Sequence, residues 1–221
     1  MMHYQINRMP DDARLPEPCA VFDPENLEAP WKNLEVAAIN HFDWLDNGYQ
    51  PQAQARVGWN KNGFLVLLCA KEPKIDKNEK TTGGAVCRDS CLEFFFQPLP
   101  DQDARYANVE CNPVPVFHVG IGASRQDRTT LREDIPGINA RPLGGEGSWW
   151  GVAYILPTAF LTSVFPGFTL TPGARMRGNF FKCNETNSPH FGMWNPTLTE
   201  KPDFHRPERF GEMSLGGDVD V

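Results

Sequence analysis

The chain has 221 residues, with 28 acidic against 21 basic side chains and a formal charge of −7, and no basic run or stripe that could neutralise a phosphate backbone. Nucleic acid is therefore not an expected partner, and the length allows one substantial core, so a single domain is expected. No segment approaches the roughly 18 uninterrupted apolar residues of a membrane span, and Met1-Met2-His3-Tyr4-Gln5-Ile6-Asn7-Arg8 lacks the apolar centre of a secretory signal. No membrane association is expected, and a cytoplasmic location is expected for the chain as given, an extracellular one if a leader has been removed.

Twenty prolines and nineteen glycines punctuate short runs of period two, and no window carries a sustained helical stripe, which is an all-β signature. Residues 1–30 are proline-rich and are expected to run along the surface, packing on a sandwich made by residues 31–221. Trp31 and Val36-Ala37-Ala38-Ile39 enter the fold first. Residues 53–59 and 64–70 flank Asn60-Lys61-Asn62-Gly63, where the Asn-Gly pair is expected to supply the positive φ angles of a hairpin turn. The second of these strands is apolar on both faces and belongs at the centre of a sheet.

A polar loop, residues 71–88, leads to the most informative stretch. In Cys87-Arg88-Asp89-Ser90-Cys91-Leu92-Glu93-Phe94-Phe95-Phe96, Leu92, Phe94 and Phe96 share one face and Asp89 and Glu93 the other; in Tyr106-Ala107-Asn108-Val109-Glu110-Cys111-Asn112, Ala107, Val109 and Cys111 oppose Asn108, Glu110 and Asn112. If Gln97 pairs with Tyr106, Glu93 falls opposite Glu110. Such a like-charge cross-strand pair is destabilising unless a ligand or cation bridges it.

Further strands are expected at residues 116–121, 149–156 and 175–183, the last with Arg175, Arg177 and Asn179 on one face. One helical turn is expected at residues 158–164, after Pro157. The Trp149-Trp150 doublet must point to opposite faces, so one indole is core and the other a surface platform. Residues 189–209 are expected as a long ordered loop, and residues 210–215 as the closing strand. The six cysteines lack CxxC spacing and are expected as buried free thiols.

The order of these pieces resembles the family 9 carbohydrate-binding modules and family-9-like domains, over roughly residues 17–215. The resemblance rests on Trp31; Val57-Gly58-Trp59-Asn60 with Phe64-Leu65-Val66; Ser90-Cys91-Leu92-Glu93-Phe94-Phe95-Phe96; Val109-Glu110-Cys111-Asn112; Trp150-Gly151-Val152-Ala153-Tyr154-Ile155 with Pro157; Asn179-Phe180-Phe181-Lys182; Trp194; and Pro207-Glu208-Arg209-Phe210-Gly211-Glu212-Met213-Ser214-Leu215. It implies an all-β sandwich of immunoglobulin-like or jelly-roll type and non-catalytic binding of a small saccharide or sugar chain end between two tryptophans. Cys87 and Phe204 stand where those tryptophans would be, Glu93 matches the family glutamate, Asn179 stands at the sugar-contacting amide, and Glu110 replaces a basic residue.

Sugars are bound by aromatic faces together with carboxylates and amides that serve their hydroxyls. The candidate carbohydrate-binding residues are accordingly Glu93, Glu110, Asn112, Asn179, Phe204 and Trp194, with Arg177 and Arg88 as partners of the carboxylates. His118, His190 and His205, with Cys183, Asp203 and Glu208, offer metal ligands without a recognisable spacing. His190 with Met193 offers haem ligands of the kind used by DOMON-type sandwiches. No cofactor is expected, while oxygen-rich loops leave calcium open. Two carboxylates side by side on one sheet face are badly placed to flank a scissile bond, so an enzyme is not expected. The alternative is a family-9-like sandwich whose sugar site has decayed or been repurposed for a protein partner or a metal, with a glycan-processing enzyme behind it.

Overall fold

Short apolar runs between glycine and proline turns give strands β1 (His3–Arg8), β2 (Ala37–Ala38), β3 (Gln52–Asn60), β4 (Gly63–Lys71), β5 (Cys91–Gln97), β6 (Tyr106–Cys111), β7 (Phe117–Gly122), β8 (Arg128–Thr130), β9 (Asn139–Gly144) and β10 (Trp149–Pro157). Helix α1 (Thr158–Val164) follows, then β11 (Arg175–Asn184), β12 (His190–Met193) and β13 (Gly211–Asp218). The structure, a computed structural model, describes residues 1–219; the last two residues of the expected 31–221 segment lie outside the described residues. Among the described residues strands make up 40% and helices 9%, which meets the all-β expectation.

The strands pair in the order β8-β7-β6-β5-β11-β13-β1-β3-β4-β10-β9, with β12 added to β11 and β2 to β3. This sheet curls on itself, so that Phe64 of β4 packs edge-on against Phe94 and Phe96 of β5, and Phe117 of β7 against Tyr154 of β10. The shared core takes alternate residues from both halves, including Val66, Leu68, Leu92, Val109, Val152 and Phe180. Each such large side chain contributes about 1.5–3 kcal/mol through burial.

Strand β5 is buried on both faces along its whole length. Its even-numbered residues enter the shared core, while Cys91 and Phe95 join a second cluster with Tyr106, Phe181, Cys183, Met193, Phe204 and Phe210. The outer face of β6, β5 and β11 is thus covered by the chain that follows β12.

Several expectations are corrected. Residues 3–8 are not a surface run: β1 lies between β13 and β3, parallel to both, with Tyr4 and Ile6 fully buried. Residues 190–193, expected as loop, pair with β11, because His190 and Met193 both have buried positions to fill. In the β3–β4 turn Gly63 alone takes a positive φ, 146°, and a Cβ there would lie 1.9 Å from the Leu156 carbonyl oxygen, so the glycine serves close approach to β10. All six cysteines are free, but Cys19 is exposed and Cys87 only half-buried. Trp150 is the core member of its doublet, while Trp149 packs only partly buried on a third cluster, which holds Phe22, Trp31, Leu65 and Leu143.

Under β4, β10 and β11 lies a buried charged group. Lys182 and Glu72, 0% and 1% exposed, pair at 3.2 Å, and Glu72 also accepts from the Trp150 indole at 2.8 Å. The ammonium donates to the Cys183 carbonyl at 2.9 Å. His190 Nε2 is 3.9 Å from Glu72, yet burial, aided by Lys182, lowers its pKa to about 3, so the ring is neutral and not an ion-pair partner.

Removing one member of a buried pair strands the other charge, so Lys182→Met should destabilise the protein by about 3–5 kcal/mol. Adding Glu72→Gln should recover most of that loss; denaturant titration of both variants checks it, and equal instability of the double variant would contradict it. For His190 the folded pKa lies below the unfolded one, so its contribution is full above about pH 6.5 and is lost as pH falls from there toward 3. His190→Gln should flatten the fall of the unfolding midpoint in that window relative to the unsubstituted chain.

Candidate functional site

The β5–β6 register runs from Phe96 opposite Ala107 to Leu92 opposite Cys111 and places Glu93 directly opposite Glu110. Continuing outward, Glu110 faces His118 of β7, and on the other side Glu93 faces Phe181 of β11. One row of side chains, His118-Glu110-Glu93-Phe181, therefore crosses four strands. Its first three members border a cavity of about 350 Å³ whose lining also includes Cys87, Cys183, Arg125, Arg128, Phe204 and His205.

The roof is the segment carrying Asp203, Phe204 and His205. Phe204 stacks on Phe181, ring centroids 4.1 Å apart and 14° from parallel, and is braced by Trp44 and Phe191. One face of Phe204 is thus already occupied by protein. Trp44 is itself fixed by its indole donating to the Thr199 carbonyl at 2.7 Å. At the rim Arg125 and Asp203 pair at 2.9 Å; with side chains 49% and 30% exposed, this bridge is worth no more than about 1 kcal/mol.

The two carboxylates are held differently. Glu110 Oε1 accepts from the Asn108 amide at 2.8 Å. Gly120 faces Asn108, and a Cβ on it would come within 2.4 Å of the amide oxygen, so glycine leaves that amide its place. Glu93 Oε1 meets two thiols, Cys183 at 3.2 Å and Cys91 at 3.7 Å, while its Oε2 is buried without a hydrogen-bond partner. Burial, then the Glu110 charge, holds Glu93 well above the usual carboxylate range. Burial also raises Glu110, against the opposing pull of His118 and Arg128.

His205 is neutral: burial first, then Arg128 and Arg125, lowers its pKa to about 2, which agrees with Arg128 donating to its Nε2 at 2.7 Å. Tyr106 Oη lies 2.7 Å from the other ring nitrogen. The cavity thus offers carboxyls that accept, or donate when protonated, beside a guanidinium and an aromatic wall. That set suits a polyhydroxylated ligand.

Of the eight sequence candidates, Glu93, Glu110 and Phe204 line this cavity. The other five lie elsewhere. Asn112 is spent internally, its amide donating to Glu79 O and Asp89 and its oxygen accepting from Val114 and Val116 N–H. Asn179 exchanges hydrogen bonds with the Asn195 backbone and so anchors the covering segment. Trp194 packs in the shared core against Tyr4 and Phe180. Arg177 lines a separate shallow depression with His3 and Glu212. Arg88 sits in a 3-10 turn, its carbonyl accepting from Thr186, and is not among the lining residues.

His190 lies in the Lys182–Glu72 cluster, away from His118 and His205, and Glu208 pairs with Arg206. Asn184, which opens the glycosylation-type tripeptide Asn184-Glu185-Thr186, is buried and donates to Asp76 at 2.7 Å. Sequence reasoning missed Arg125 and Arg128, whereas Cys87, set at the first tryptophan position by the resemblance, does line the cavity. Arg128 stands on a three-residue strand, too short for any periodicity, whereas His118 could have been placed by carrying the register across the turn after Cys111.

Comparison with known proteins bears on this arrangement. Among curated proteins none matches the sequence significantly. A solved structure of a candidate carbohydrate-binding protein from Bacteroides uniformis ATCC 8492 is 26% identical, with a TM-score of 0.78 over 96% of this chain and 98% of that one. Two structures of a carbohydrate binding module family 9 from Caldicellulosiruptor kristjanssonii share the fold. The complex with cellotriose has 14% identity and a TM-score of 0.63 over 99% of this chain and 96% of that one. The complex with glucose has 15% identity and a TM-score of 0.61 over 98% of each. The family model for carbohydrate-binding family 9 matches residues 24–215, and the chain belongs to that family.

Proposed function

We propose that the cavity over β5 and β6 binds a small saccharide or the end of a sugar chain without catalysis. The observation that carries this reading is the pair Glu93 and Glu110, side by side on a cavity wall whose lining also includes Phe204. A volume of about 350 Å³ lies at the small end of ligand pockets, which favours a terminal unit over an extended chain. Carboxylates on neighbouring strands of one face approach a ligand from one side, and a glycosidase needs them on both sides of the scissile bond. The chain acts as one sandwich domain of jelly-roll type, to which residues 1–30 contribute β1. Among the described residues no helix is long and apolar enough to cross a membrane.

A glycan array identifies the ligand, with glucose and cellotriose, seen in two proteins of the same fold, as the first calorimetric probes. Phe204→Ala should weaken binding of the identified sugar by roughly 1–3 kcal/mol, by analogy with other stacked flat ligands. Arg177→Ala, outside the cavity, should leave affinity unchanged. The reverse pattern would move the site to the Arg177 depression.

A further inference from the structure

Next to the carboxylate row lies a row of thiols. Cys91 of β5 stands opposite Cys183 of β11, and Glu93 is the next residue on the same face of β5. Cys183 Sγ is 3.2 Å and Cys91 Sγ 3.7 Å from Glu93 Oε1, and the three atoms lie within 4.8 Å of one another. A tetrahedral zinc, with Zn–S about 2.3 Å and Zn–O about 2.0 Å, sets adjacent sulfur and oxygen ligands about 3.5 Å apart. The two observed separations fall on either side of that spacing.

The surroundings leave Glu93 in want of a cation. Thiols are weak donors, Oε2 has no partner although the residue borders the cavity, and the neighbour across the strands is a second carboxylate. The donor set also selects the ion. Calcium takes 6–8 oxygens, whereas two sulfurs are soft ligands that favour zinc or cuprous copper, and the carboxylate beside them favours zinc. Cys87 lines the same cavity, and its carbonyl lies 3.8 Å from Cys183 Sγ.

We propose that Cys91, Cys183 and Glu93 form a zinc-binding site beside the cavity, with a fourth position that a water completes. Binding forms two Zn–S bonds and one Zn–O bond, and the displaced thiol protons, with that of Glu93 where it carries one, leave to solvent. This site goes beyond the sugar reading and does not depend on it.

The test uses the full chain, free of any affinity tag, prepared metal-free and titrated with Zn2+ against a chromophoric chelator and separately with Co2+. One equivalent of zinc should bind, and Co2+ should give a near-ultraviolet thiolate charge-transfer band with the intense visible bands of tetrahedral cobalt. Cys91→Ser and Cys183→Ser should each weaken zinc binding by more than about 100-fold, since loss of a mere outer partner of a ligand already costs about 10–100-fold. Cys19→Ser, at the exposed cysteine, should change nothing. Should a serine variant fail to fold, Glu93→Gln provides the second arm: it should weaken zinc by at least about 10-fold, the low end for disturbing even an outer partner, while keeping the charge-transfer band. Absence of that band in the unsubstituted chain, or zinc affinity unmoved by the Cys91, Cys183 and Glu93 variants, would overturn the proposal.

Discussion

The cover over the outer face of β6, β5 and β11 is the constraint on which the site depends. A sheet face left to water can carry Glu93 and Glu110 as ordinary solvated carboxylates. Here the chain after β12 folds back across that face, held by Asn179 gripping the Asn195 backbone and by Phe204 stacked on Phe181. What the cover does not fill is the cavity. The perturbed carboxylates, the neutral His205 and the thiols beside Glu93 all follow from polar residues being enclosed with few internal partners.

The same cover decides which polar residues are available to a ligand. Asn112 and Asn179 lie on the same outward face as Glu93 by strand alternation, but the covering segments supply backbone groups that satisfy them. Glu93 receives only sulfur contacts among the described hydrogen bonds, and Glu110 a single amide. A buried polar group that the fold satisfies serves the fold, and one left short is available for something else.

Much of the architecture was legible in the sequence because it is local. Period two in residues 91–97 and 106–111 set the faces, and the register in which Gln97 faces Tyr106 carried the Glu93–Glu110 pairing that the strands adopt. The unread parts share a physical cause. Strand β1 pairs in parallel with segments distant in sequence and has no turn to announce it; β8 and β12 are three and four residues long, below any period. The fate of Asn112, Asn179 and Trp194 depends on which loop lies over them, and the strand pattern carries no such information. The thiol pair was invisible for a related reason: Cys91 and Cys183 are brought together by cross-strand register, whereas motif spacing describes ligands within one segment.

The position of β1 bears on how the chain reaches this state. Its neighbours are β3 and β13, so the earliest strand in sequence is zipped to the latest, and the two halves of the sheet meet through that parallel joint. Pairing between chain ends carries the full loop-closure entropy of the intervening residues, a topology that folds slowly. On a ribosome the sheet cannot close until residues 211–218 have emerged, and until then the edges of β1 and β11 that β13 joins stay open to other chains. Production of this protein should therefore be governed by chaperone supply and growth temperature more than by the strength of its finished core.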